Sequence, residues 1–337
     1  MSLDVAPTRA RRVLLPASIA RTPPPLGAQV HELHGRTMGT TWSVRLVAGP
    51  RIDRAPLRRA IVDALAEVVA QMSTWAPDSD LSRFNRAAPG TWHALPDAFG
   101  QVLACALDVA ARSDGAFDPT AGALVDAWGF GPLARTGVPG AQALARARER
   151  AGWRRLTLAP GGDAVLQPGG LALDLSAIAK GHGVDLVSRR LAALGIDSHL
   201  VEVGGELRGA GVKPDGQPWW VALEEPGAAA PSTLVALHGL AVATSGDYRR
   251  WFEHEGTRYS HTIDPRDGRP IRHGLASVTV IHADCMHADA WSTALNVLGA
   301  DAGLVLADRL GLAARFVQRA GDGVAERTSA AFDRYLQ

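Results

Sequence analysis

Hydrophobic positions along the chain follow two periods. Leu57, Ile61, Leu65, Val68 and Met72 recur at helical spacing and predict an amphipathic helix, ended by Ser73-Thr74-Trp75-Ala76-Pro77 with the proline as its stop. Phe99, Val102, Leu103, Ala106 and Ala110 predict a second helix over 96–113. The run 171–175 alternates apolar with other residues, as a half-buried strand does, and leads into small residues, two glycines and Lys180. Val184, Val187, Leu191 and Leu194 then return to helical spacing, and Gly195 reads as the residue after the helix end. A further helix is predicted to begin at Asp289 and run through Leu295 and Leu298 to Gly299. Short strands are predicted from Thr41 to Val47 and over 200–203, 219–223, 241–244, 259–263, 277–281 and 314–317. Residues 78–85 read as too polar for a core, and 131–170 as a surface excursion with a short helix near 142–151. Strands at hairpin spacing, flanked by helices, predict an α+β fold with antiparallel sheets.

Composition narrows the classes. The 337 residues are 47% hydrophobic and 20% charged, as in a globular protein. Thirty-five Lys and Arg against 34 Asp and Glu leave no field that would attract nucleic acid. Cys105 and Cys285 form no CxxC pair and read as small buried hydrophobes. No run of 18 apolar residues is present to span a membrane. Residues 1–30 carry Arg9, Arg11 and Arg12 before a short apolar stretch broken by Pro16, then Pro23-Pro24-Pro25; they read as an extended arm rather than an export signal, with 31–337 as the folded domain and a cytoplasmic location expected.

Four places carry candidate chemistry. The strand–glycine turn–helix at 171–195 could turn backbone amides and Lys180 toward an anion, or be an ordinary joint. Asp289 and Thr293, four apart, project from one helix face. A carboxylate and a hydroxyl are hard donors suited to magnesium, although a first-turn Asp and a Thr bonding its own backbone would look the same. His261, at a strand end beside the Asp264-Pro265 turn, could accept a hydroxyl proton, with Asp264 orienting it or holding the turn. Thr244-Ser245-Gly246-Asp247-Tyr248 is equally a substrate-binding segment or a plain turn. Met38, Trp75 and Phe117 are apolar or aromatic side chains beside glycine turns or polar loops, placed to cover a flat ligand or simply to fill core.

Taken together these segments resemble the ApbE-type FAD:protein FMN transferases. The resemblance rests on Met38-Gly39-Thr40-Thr41-Trp42, Met72-Ser73-Thr74-Trp75 with Ser79 to Asn85, Gly115-Ala116-Phe117-Asp118-Pro119-Thr120, Asp174 to Gly181, Val203-Gly204-Gly205-Glu206, Thr244-Ser245-Gly246, His261 to Pro265, and Ala288 to Ala294, all in the family's order. It implies the T-fold-like ApbE architecture and magnesium-dependent transfer of the FMN half of FAD to a Ser or Thr of an acceptor flavoprotein, with AMP released. By the same resemblance Met38, Trp75, Ala116, Phe117, Asp118, Asp174, Lys180 and Ile263 contact FAD, while Asp289, Thr293 and the main-chain carbonyl of Ala177 hold magnesium. Lys180 and His261 are then the catalytic candidates. Trp75 stands where the family often has Tyr, and no lipoprotein signal is visible. An FAD pyrophosphatase giving FMN and AMP, or a non-catalytic flavin-binding or delivery protein, are the other readings of the same residues. A redox flavoenzyme lacks any nicotinamide fingerprint.

Overall fold

The alternating segments pair into one eight-stranded, wholly antiparallel sheet, in the order Gly323–Thr328, Ala313–Ala320, Leu275–His282, Leu240–Gly246, Glu206–Ala210, His199–Val203, Thr40–Ala48 and Gln29–Thr37. The structure is a computed structural model and describes residues 12–19, 24, 26–133, 137–224, 233–247, 250–320 and 323–335. Tyr248 and most of residues 1–25 therefore lie outside the described residues. Both faces of the sheet are buried. Val44, Leu46, Ala243 and Val280 point into the larger core, and their neighbours Val47, Val242 and Ile281 into a second one. The helices Arg54–Met72, Ala179–Ala193 and Cys285–Leu310 cover the first face. The second face is covered by a small sheet of Arg12–Leu14, Thr233–Leu237 and Trp219–Ala222, so Arg12–Leu14, within the expected arm, is a paired strand with Leu14 fully buried.

The helix Cys285–Leu310 is long and apolar enough to cross a membrane, but it is the core helix and is packed against the central strands. It starts four residues earlier than the sequence pattern predicts and continues past Gly299, whose φ of 77° breaks its backbone. The α+β expectation holds, and the helices over 54–72 and 97–112 stand where the periodicity puts them.

Other expectations change. The segment 171–175 is not a sheet strand: its only bridge joins Ala172 to Ala121. Leu171, Leu173 and Leu175 are fully buried, and side-chain amides replace a neighbouring strand. Asn85 Nδ2 donates to the Leu173 carbonyl at 2.9 Å while its Oδ1 accepts the Leu173 N–H at 2.7 Å; Gln167 does the same for Leu171, both bonds at 3.1 Å. Residues 78–85 are not a solvated loop. They hold the short helix Asp80–Asn85, with Leu81 and Phe84 in the core and the buried Ser79 and Ser82 hydroxyls both donating to the Ser73 carbonyl. Nor is 131–170 wholly superficial, because the strand Ala164–Gln167 pairs with Thr91–Ala94 and buries Val165 completely. The first long helix ends at Met72, ahead of Pro77: Ser73 Oγ accepts the N–H groups of Trp75 and Ala76 and turns the chain before the proline is reached.

Candidate active site

Two helices meet end against side, and each caps the other. Helix Ala179–Ala193 begins in the glycine-containing stretch, and its Gly181 N–H donates to Asp289 Oδ2 at 2.9 Å. In return Asp185 of that helix accepts the first amides of helix Cys285–Leu310, Cys285 N–H at 3.1 Å and Met286 N–H at 2.9 Å. The contact needs a glycine: a Cβ on residue 181 would stand 2.4 Å from the Cys285 carbonyl oxygen and 2.8 Å from Asp289 Cβ. The sequence reading of free amides facing an anion is therefore amended at Gly181, whose amide is already taken by Asp289.

Lys180 sits in the first turn of its helix and pairs with Glu206, which is 3% exposed. Glu206 reaches it because Gly204 and Gly205, both at positive φ, turn His199–Val203 tightly into Glu206–Ala210. Asp289 is also 3% exposed. Burial raises its pKa, and the nearby Lys180 charge and the Gly181 hydrogen bond pull the other way without cancelling it. The cost of this buried negative charge is what a cation would relieve.

Thr293, one turn along the same helix face, lies 2.9 Å from Ser245 Oγ, and Ser245 is 2.7 Å from Ser292 Oγ. The segment 244–246 is thus the end of strand Leu240–Gly246 rather than a turn, and it presses a hydroxyl onto the Asp289 helix. His261 follows the strand Thr257–Ser260, with Lys180 near enough to perturb its titration. Its Nδ1–H donates to the Arg250 carbonyl at 3.0 Å, which leaves Nε2 as the acceptor nitrogen. Burial first, and then the Arg250 and Lys180 charges, lower its pKa.

The remaining expected residues fall at varied depths. Met38 takes a positive φ of 47° in the two-residue hairpin turn before Thr40–Ala48, and its methyl lies 3.4 Å from the place of a Cβ on Gly183. Trp75 is 60% exposed just after the helix exit, so its ring is not core. Asp174 Oδ1 holds the Ser176 N–H at 2.7 Å, shaping the turn that contains Ala177 just before Lys180's helix. The Phe117 ring, expected beside exposed backbone, is buried in the main core, and Ala116 is buried with it. Asp118 is committed to loop architecture: Oδ1 accepts the Thr120 N–H and hydroxyl at 2.7 and 2.6 Å, and Oδ2 accepts Trp153 N–H at 3.1 Å. Ile263 belongs to a separate small core with Trp128 and Phe130.

The sequence reading missed the parts played by Glu206, Asp185 and Ser245. A glutamate directly after a diglycine turn was the available signal for the first. Asp185 looks like any helical acid until the partner helix is placed.

Known proteins resemble this chain over most of its length. The ApbE family profile matches residues 38–316. An FAD:protein FMN transferase of Vibrio cholerae is 40% identical over 91% of this chain and 93% of its own length, and one of Haemophilus influenzae is 38% identical over 92% of each. The apo crystal structure of the flavinyl transferase ApbE of Pseudomonas stutzeri is 44% identical, covers 91% of this chain and 97% of its own, and superposes with a TM-score of 0.85. The chain belongs to the ApbE family.

Proposed function

We propose that this chain transfers the FMN moiety of FAD to a Ser or Thr hydroxyl of an acceptor flavoprotein, forming a phosphoester and releasing AMP. One observation supports it most: Asp289 and Thr293 put a buried carboxylate and a hydroxyl on one helix face, with Asp289 held against the first turn of the helix that presents Lys180 and Thr293 against Ser245. That is a donor set for a hard cation beside a positive charge suited to a pyrophosphate.

The residues fit magnesium. Asp289 carries a buried charge that Lys180 and the Gly181 N–H only partly offset, and the Thr293 hydroxyl on the same helix face adds an oxygen donor. Asp289, Thr293 and the Ala177 carbonyl would hold the ion, with Ser245 orienting the Thr293 hydroxyl. Bound magnesium supplies charge neutralisation on the pyrophosphate. Lys180 supplies the same from the other helix, its ammonium held in place by Glu206. Trp75 offers an exposed ring for the isoalloxazine, and Met38 an apolar cover beside Gly183. In the reaction the acceptor oxygen bonds to the FMN phosphorus, the bond from that phosphorus to the bridging oxygen breaks, and AMP leaves with that oxygen. His261 Nε2 takes the hydroxyl proton.

His261→Ala is expected to lower transfer about 10²- to 10⁴-fold at pH 7. Because the folded-state pKa lies below the ordinary value of 6.5, the base form persists into mildly acid solution. Wild-type transfer should fall only as pH drops through that depressed value, and the variant should lack this limb. A pH–rate profile of both proteins checks it; near-normal transfer by the variant would remove His261 from the chemistry.

A further inference from the structure

At the start of the helix that carries Asp289, the residues His282, Asp284 and His287 each bring a ligand atom within 4.8 Å of the others. His282 ends the strand Leu275–His282, Asp284 is the N-cap of helix Cys285–Leu310, and His287 lies in its first turn. The two imidazoles are stacked, with centroids 5.0 Å apart and planes at 26°.

Three features set these groups up as ligands. An N-cap aspartate ordinarily accepts its own helix's amides, yet Asp284 makes no such bond. Asp185, from the neighbouring helix, already holds Cys285 and Met286. The Asp284 carboxylate is thereby released, and its Oδ2 lies 3.8 Å from His287 Nδ1. That Nδ1 is buried with no hydrogen-bond partner. Finally, His282 Nδ1 lies 3.2 Å from the Asp284 carbonyl oxygen, so a tautomer with Nδ1–H donating there leaves the Nε2 lone pair for a metal. The alternative tautomer, with Nδ1 accepting the Asp284 N–H at 2.9 Å, serves the metal-free protein. Arg208 touches the other carboxylate oxygen, Oδ1, at 3.7 Å, but its closer partners are Asp185 at 2.8 Å and the Ala283 carbonyl at 2.6 Å.

The structure assigns a second metal site to His282, Asp284 and His287, one for zinc rather than magnesium. Two imidazole nitrogens and a carboxylate oxygen are borderline donors that suit zinc, and magnesium prefers an all-oxygen sphere. Because zinc–ligand bonds are about 2.0–2.2 Å, the three groups must draw together slightly around the ion. The ion would tie the strand end to the start of the helix that carries Asp289.

The test is zinc uptake by the full chain in excess magnesium, read by competition with a chromophoric chelator, with visible absorption of the Co²⁺ form as a spectroscopic check. The expected result is one equivalent bound, weakened at least about tenfold in His282→Gln, His287→Gln and Asp284→Asn. Co²⁺ bands should be lost in the same variants. Circular dichroism of the metal-free variants verifies folding, and three variants keep the test open if one misfolds. No uptake by the wild type, or uptake unchanged in the folded variants, overturns the assignment.

Discussion

Replacing Asp289 with Asn should abolish magnesium-dependent transfer, at least about 10³-fold, while leaving the protein as stable as before or more so. The two effects separate because the residue does two jobs. Structurally it accepts the Gly181 N–H at 2.9 Å, and an amide oxygen in the same place can do that too. Chemically it provides a buried negative charge whose pKa burial has raised. A raised folded-state pKa means the ionised form is disfavoured by folding, so at neutral pH the charge costs stability in the metal-free protein and its removal does not. Thermal melts with and without magnesium read both. The wild type should gain melting temperature as magnesium is added, and the variant should not. Transfer within tenfold of wild type, with unchanged metal dependence, would take Asp289 out of the site.

Gly181→Ala is expected to give the largest structural effect for a single added methyl. Its Cβ would meet the Cys285 carbonyl oxygen at 2.4 Å and that carbonyl carbon at 2.7 Å, backbone atoms of the facing helix that cannot swing aside. Overpacking of this kind costs about 1–3 kcal/mol, against which better helix propensity returns about 1 kcal/mol. The helices must separate, and the Gly181–Asp289 bond lengthens with them, so magnesium affinity should fall along with the melting temperature. Gly183→Ala is the control. Its Cβ would face Met38 Cε and Leu65 Cδ2, both at 3.4 Å, side-chain tips that can give way. Equal melting temperatures and equal magnesium affinities for the two variants would contradict this account of the helix contact.

Periodicity made the helices over 54–72 and 97–112 legible, since each buries one apolar stripe. It misjudged 171–175 because alternating leucines are the pattern of a half-buried strand, and Leu171, Leu173 and Leu175 are buried here without a neighbouring strand to pair with. There the decisive partners are the amides of Asn85 and Gln167, distant in sequence. It misjudged Ser79 and Ser82 because polarity was taken for exposure, whereas their hydroxyls are satisfied internally by one carbonyl. At the site, the family's motifs named Asp289, Thr293 and Lys180. No spacing rule could reveal that Asp289 and Asp185 cap each other's helices, or that Ser245 reaches Thr293, because each link joins segments that only the tertiary fold brings together.

The most direct test of the central claim is intact-mass spectrometry of a candidate acceptor incubated with the purified protein, FAD and magnesium, with AMP quantified alongside. The account predicts a mass gain of one FMN on the acceptor, AMP in equal amount, and loss of both when magnesium is chelated or Asp289 is changed to Asn. AMP and free FMN formed with no labelling of any acceptor bearing the Ser/Thr segment would instead show water as the nucleophile, and contradict it.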